Sequence, residues 1–314
     1  MKRKTFLLGH LLLAALILFT LLGFAANYGF LFEVPSHFRA QYALGAMLAG
    51  LIFVLLKRWV MVLVSFLVLI VNLSFILPLY FSTNTALLAT HPPPVRVLLM
   101  NVLSSNRQTE AVVSQINRYH PDILALEEIN FRWFAALTNQ LDDYPYQLHA
   151  VREDNFGIWL LSKFPIADQE ILPWGPAQLP SATFRFRIGN QFVRVVAMHP
   201  MSPGNPQGVR WRNAQMRQIA TRFEATDDPL LVIGDLNTTS FAPVFQEFTR
   251  RLQLTDSRRG FGLQCSWPAF SFNPFMITLD HCLVSKHWEV VRREVGNDMG
   301  SDHLPVYVEL NFLE

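Results

Sequence analysis

Six polar clusters stand at the ends of apolar runs, and their residue types are those of hydrolytic chemistry. Asn101 follows the run 97–100, Glu127 and Glu128 follow 123–126, and His199 follows 195–198. Asp235, Leu236 and Asn237 follow 230–234, Asp280 and His281 follow 277–279, and Asp302 and His303 precede 304–306. Taken one at a time, each has a plain explanation. Asn is a turn former, Asp235 or Asp302 is a cap, and a lone histidine is structural. Together they are a set of oxygen and imidazole donors without a thiolate cluster. Such a set suits a hard cation, with Mg²⁺, Mn²⁺ and Ca²⁺ as the alternatives. Two histidines beside carboxylates add acid–base partners. Read from the residues alone, the chemistry is metal-assisted hydrolysis of a phosphate ester.

Those residues need a scaffold that gathers strand ends at one rim. The apolar runs at 95–102, 123–126 and 230–233 read as buried strands, and 192–198, 278–284 and 305–310 also read as strands. Helical periodicity covers 109–119, 131–141, 210–223 and 243–252. The segments 157–161, 183–188 and 192–198 succeed one another almost hairpin to hairpin. This mixture predicts an α/β fold of α+β type, with antiparallel pairing and helices packed outside, rather than a doubly wound parallel sheet. Residues 96–314 are expected to form it as one domain.

The composition shows that this domain is not the whole molecule. The chain is 51% hydrophobic and only 16% charged, whereas soluble domains carry about 25% charged residues. Its net charge of +2 averages two unlike parts. Residues 1–90 hold six basic residues against Glu33 alone; the rest holds twenty basic against twenty-three acidic. Disorder is excluded by the apolar content, and a disulfide scaffold by having two cysteines in 314 residues. Residues 1–82 read as a membrane region with about three transmembrane helices, at 6–26, 42–56 and 59–81. The middle one is short enough to be re-entrant instead. A cleaved signal peptide is the alternative for the first, but further apolar segments follow it. Lys2, Arg3 and Lys4 precede the first span, and Lys57 and Arg58 separate the second from the third. If both clusters stay cytoplasmic, three spans place the remainder on the outer side, periplasmic in a bacterial inner-membrane protein. Residues 83–95, with Pro92, Pro93 and Pro94, read as a stiff linker.

The ordered stretches LLMNV (98–102), ILALEEI (123–129), GIWLLSKFPI (157–166), VVAMHP (195–200), VIGDLNTT (232–239), ITLDHCLVS (277–285) and GSDHLPV (300–306) carry a resemblance. Their order is similar to that of the endonuclease/exonuclease/phosphatase superfamily, with its deoxyribonuclease-I-like fold, here in a membrane-anchored bacterial form. The resemblance implies a two-sheet sandwich flanked by helices and Mg²⁺-dependent cleavage of phosphoesters. It implies Glu128 as the principal metal ligand, with Asn101 and Asp302 close to the metal. Asp235 would orient or deprotonate the attacking water, and Asn237 would hold the phosphate or that water. His303, held by Asp280, would be general base or phosphate stabiliser, and His199 would donate to a phosphate oxygen or the leaving group. Where the family usually has Gln, this chain has Glu127, an extra carboxylate that either strengthens metal binding or, as favoured, faces away along its strand. His281 is expected to be structural. Arg152, Arg185 and Arg187 are candidate phosphate contacts.

The superfamily's substrates range over nucleic acids, lipids and small phosphoesters. A nuclease needs a basic footprint, and the domain is mildly acidic with only paired arginines, so a phospholipid or small phosphodiester is favoured. A membrane-tethered nuclease and a non-catalytic binding module on the same fold are the alternatives. Trp267, Phe270, Phe272 and Phe275 either touch a bilayer or pack in the core. Cys265 and Cys282 either form a disulfide or are separate buried thiols.

Overall fold

The computed structural model describes residues 2–81, 94–269 and 274–313. Most of the expected linker at 83–95, and the aromatics Phe270 and Phe272, lie outside the described residues. Three helices long and apolar enough to cross a membrane come first: Phe6–Tyr28, Phe30–Leu55 and Trp59–Tyr80. Their α-helical parts are α1 (Lys2–Leu22), α2 (Phe30–Glu33), α3 (Arg39–Leu55) and α4 (Trp59–Ile76). Leu7, Leu8, Leu11, Leu51, Leu63 and Leu67 face outward, an apolar surface suited to lipid rather than water.

The middle helix starts earlier than the expected 42–56 because Arg39 is buried within the bundle instead of marking its edge. Its guanidinium donates to Thr20 O at 3.2 Å and Asn72 Oδ1 at 3.4 Å, and lies over the Phe24 and Phe75 rings. A charge among apolar helices persists when its neighbours satisfy it, and these come from both flanking helices. At one end of the bundle Arg58 lies over Phe6, 5.2 Å from the ring centroid. At the other end the bundle meets the rest of the chain. Leu79 O accepts from Gly260 N at 2.8 Å and Gly262 N at 2.9 Å, and Phe241 packs with Ala43, Ile76 and Leu79.

The remainder is two six-stranded mixed sheets with helices on the outside. In chain order the elements are β1 (Val95–Asn101), α5 (Thr109–Tyr119), β2 (Ile123–Glu127), α6 (Phe131–Leu137), β3 (Tyr146–Ala150), β4 (Ile158–Ser162) and β5 (Ile166–Trp174). There follow β6 (Leu179–Ile188), β7 (Gln191–Met198), α7 (Pro206–Phe223), β8 (Leu230–Asp235), α8 (Pro243–Arg251), β9 (Thr255–Asp256), β10 (Asp280–Val284), β11 (Trp288–Val295) and β12 (Val306–Phe312). One sheet runs β11-β12-β1-β2-β4-β3 and the other β5-β6-β7-β8-β10-β9. Among the described residues only β1–β2 and β7–β8 pair in parallel; the other pairs are antiparallel, as the hairpin-like spacing predicts.

Alternation along the strands builds three apolar layers. Val97, Leu99, Ile123 and Ala125 face Phe184, Val195, Ala197 and Ile233 between the sheets. The intervening Leu98, Met100, Leu124 and Leu126 pack outward with Val112 and Ile116 of α5 and Trp133 of α6. Val196, Met198 and Val232 do the same with Met216 of α7 and Phe245 of α8. Both faces of the central strands are therefore covered, which is why their sequences are continuously apolar.

Candidate active site

β1, β2, β7 and β8 end, and β10 and β12 begin, at one rim of the sandwich. The pairing β8–β10 sets Asp235 opposite Asp280, and β1–β2 sets Asn101 beside Glu127. Each polar residue thus stands at the rim where an apolar strand ends or, for Asp280, Asp302 and His303, where one begins. Two break the extended backbone there: Glu128 has φ 61° and Asn237 φ 50°. Left-handed non-glycine residues cost about 1–3 kcal/mol each and persist where their surroundings over-determine them. Gly234, at φ 156°, is needed for closeness, since a Cβ there would lie 1.9 Å from Met198 O.

All eight residues expected at the site come together. Asn101 Nδ2 donates to Glu128 Oε1 at 3.1 Å and Asp235 Oδ2 at 3.3 Å. Ser104 N donates to Glu128 Oε2 at 2.9 Å. His199 Nε2 and His303 Nε2 each lie 3.4 Å from Asp235 Oδ2, and His303 Nδ1 is 2.8 Å from Asp280 Oδ2. Asn237 N donates to Asp235 Oδ1 at 2.9 Å, and Asn237 Nδ2 to Pro200 O at 3.0 Å. Asp302 accepts from Trp267 Nε1 at 3.1 Å through Oδ2, while its Oδ1 has no hydrogen-bond partner among the described residues. Glu128, His199, Asp235, Asn237, Asp302 and His303 line a cavity of about 660 Å³. Its other walls include Phe38, Leu103, Phe156, Trp267, Ile277 and Leu279, and no Lys or Arg lines it among the described residues.

Charge inside the site is strongly coupled. Burial alone would lower the pKa of His303, but the Asp280 and Asp235 carboxylates outweigh it and raise it to about 10. His199 is raised to about 9, with burial opposed chiefly by its hydrogen bond to Asp235. Burial would raise Asp235, yet the two imidazoles hold it below the usual carboxylate range. The site therefore presents a carboxylate between two imidazolium groups at neutral pH.

Glu127 does face away from Glu128, as strand alternation requires, but it stays beneath the site. It points between the sheets and its carboxyl accepts from Asp235 N at 2.9 and 3.2 Å. His281 is buried outside the cavity, Nε2 lying 2.9 Å from Thr238 O and Nδ1 3.6 Å from Asp256. The candidate arginines do not reach the cavity. Arg185 pairs with Asp168 and Asp228, Arg187 donates to Gly189 O and Asn190, and Arg152 pairs with Asp154. Cys265 and Cys282 are both free thiols, Cys282 among the apolar residues between the sheets. Trp267 is half-buried in the cavity wall, whereas Phe275 is exposed.

Two contributors carry no catalytic signature in the sequence. Ser104 grips Glu128 from a loop after β1, and Phe156 packs against His199 with ring centroids 5.3 Å apart. Serine and phenylalanine in loops are too common to single out.

The profile of the Endonuclease/Exonuclease/phosphatase family matches residues 98–303. Among solved structures, the chain is similar to a mannosyl-6-phosphatase of Bacteroides thetaiotaomicron, at 18% identity and a TM-score of 0.59. That alignment covers 69% of this chain and 100% of the other. The human Nocturnin catalytic domain with bound sulfate aligns at 21% identity and a TM-score of 0.56, covering 71% and 95% of the two chains. D. rerio TDP2 with a single-strand DNA product aligns at 15% identity and a TM-score of 0.57, covering 69% and 99%. No curated protein sequence matches the chain.

Proposed function

We propose that this chain, which belongs to the endonuclease/exonuclease/phosphatase family, is a membrane-anchored, divalent-metal-dependent phosphodiesterase acting on a phospholipid or small phosphodiester. The observation that carries this reading is the convergence of six acid, amide and imidazole residues on one cavity with no Lys or Arg in its described lining, backed by Asn101 and Asp280. Glu128 and Asp302, with the Asn101 amide, fit a hard cation: they are oxygen donors, and Asp302 Oδ1 is buried without a hydrogen-bond partner among the described residues. Asp235, Asp280 and His303 also offer ligand atoms within 4.8 Å of one another. His303 Nδ1 is already engaged by Asp280, so that trio serves better to hold an imidazolium in place than to bind the metal. Mg²⁺ bound at the first set would neutralise phosphate charge and polarise the scissile bond.

The remaining residues divide the work. Asp235 is held ionised and oriented by its neighbours, ready to take a proton from an attacking water. Asn237 fixes that water or a phosphate oxygen. His303, kept cationic by Asp280, stabilises charge on the phosphate rather than acting as a base. His199 delivers a proton to the leaving alcohol oxygen. Water thus adds to phosphorus, the ester P–O bond breaks, and the products are a phosphomonoester and an alcohol.

The absence of basic residues from the described lining disfavours a long polyanion and favours a singly charged diester. The apolar walls and the three lipid-suited helices favour a lipid. The site would face the outer leaflet if the basic ends stay cytoplasmic, and protease added to intact spheroplasts would then cleave the domain. The catalytic reading is tested with detergent-solubilised full chain, Mg²⁺ and bis(p-nitrophenyl) phosphate. Glu128→Ala and His303→Ala should each lower kcat by about 10²-fold or more. Equal turnover by wild type and both variants would refute the assignment. Phospholipid vesicles, single-stranded DNA and p-nitrophenyl phosphate then separate lipid, nucleic-acid and monoester substrates, and no turnover of any would favour a binding module.

A further inference from the structure

Between the first two apolar helices the chain does not simply turn; it enters the active site. Val34, His37 and Phe38 line the same cavity as Glu128, Asp235 and His303. Glu33 is 2% exposed and pairs with Arg212 of α7, which is fully buried. The same guanidinium donates through Nη1 to Asn237 O at 2.9 Å. Four residues after Glu33, His37 Nδ1 is hydrogen-bonded to Thr239 Oγ1 at 3.0 Å. One short segment therefore holds the loop after β8 at two points, one on either side of Thr238.

We infer that residues 33–38, at the mouth of the apolar bundle, are positioning residues of the active site: Glu33 through Arg212, and His37 through Thr239, set the placement of Asn237. The backbone of Asn237 is left-handed, a conformation asparagine adopts more readily than other non-glycine residues, so its placement depends on what the loop is tied to. Asp235 and Pro200 hold the Asn237 amides from within the sandwich, and these two ties add a hold on its carbonyl and on the loop beyond it. A surface turn between two helices leaves such groups in water, whereas here both are buried against the rim of another part of the molecule. The apolar bundle and the catalytic sandwich thus share one site, and the part of the chain nearest the membrane determines whether Asn237 is aligned. The kinetic consequence rests on the phosphodiesterase reading; the tie itself does not.

The test uses the full chain in detergent with Mg²⁺ and bis(p-nitrophenyl) phosphate, comparing Glu33→Gln, Thr239→Val and Thr239→Ser. The first two should lower kcat at least tenfold with KM changed less than threefold, because alignment rather than binding is lost. Thr239→Ser keeps the hydroxyl and should restore wild-type kcat. Amide hydrogen exchange should rise at residues 235–240 in Glu33→Gln and Thr239→Val while β1, β2 and β7 remain protected. Unchanged exchange at 235–240 in both variants overturns the tie, and raised exchange with unchanged kcat overturns its role in turnover. If Glu33→Gln unfolds, the Thr239 pair decides alone. If wild type turns over no phosphodiester, the hydrolase reading falls while the exchange result still decides the tie.

Discussion

Adjacent glutamates at the end of β2 show how one covalent step separates two environments. Glu128 opens to the cavity and is held by Asn101 and Ser104. Glu127 is sealed between the sheets, where burial raises its pKa despite the opposing attraction of His199. A carboxyl kept neutral in this way resembles the Gln usual at this place in the family, with an oxygen free to accept from Asp235 N. The linkage has a definite sign. Between the unfolded carboxyl pKa and the raised folded value, the folded state binds the extra proton, so stability falls as pH rises. Glu127→Gln keeps the acceptor and removes the titration. It should therefore gain thermal stability relative to wild type as pH goes from 5 to 8, with little difference at pH 5. Melting curves across that range check this, and a gap that stays constant or narrows would show that Glu127 is ionised in the fold.

At the scale of elements, legibility followed how each strand is buried. β1, β2, β7 and β8 are covered on both faces, so their apolar runs and the polar residues ending them stood out. β5 is an edge strand with half-exposed residues, and β11, also at an edge, mixes charged and apolar side chains without alternation and carries a register shift between Val290 and Arg292. Neither leaves a run to recognise, and both were absent from the sequence reading. The expected helix at 131–141 tightens after Leu137 into a 3₁₀ turn, a hydrogen-bonding change that side-chain periodicity hardly registers. The site residues were legible because each stands next to the end or the start of an apolar strand. Arg212 was not, because a single arginine on amphipathic α7 reads as a solvated side chain. Its partner Glu33 lies 179 positions away, a separation that no local pattern bridges. The disposition of Arg185 and Arg187 has the same origin: sequence places them on β6 but does not say that they sit toward the β6–β7 turn, where Arg187 bonds Gly189 O.

For the whole molecule, the decisive contacts are those between the apolar bundle and the sandwich. Phe241 buries itself against Ala43, Ile76 and Leu79, Gln41 Nε2 donates to Met276 O at 3.0 Å, and Leu79 O receives two backbone donors. Arg212 has Glu33 as its only carboxylate partner among the described residues, and its other acceptors are Asn213 and the Asn237 carbonyl. A chain beginning at Val95 retains every residue assigned to catalysis yet loses that partner. Leaving one member of a buried pair uncompensated costs about 3–5 kcal/mol, unless water reaches the charge once its cover is gone. The truncated domain should accordingly melt well below the full chain and turn over bis(p-nitrophenyl) phosphate at least tenfold more slowly. Replacing Arg212 by Met in the truncated domain separates the two effects. An apolar side chain of similar length removes the stranded charge and should recover melting temperature, but it has no donor for Asn237 O and should leave kcat low. If Arg212→Met recovers both, the arginine only stabilises the fold. If the truncated domain matches the full chain in melting and turnover, the apolar bundle is merely an anchor.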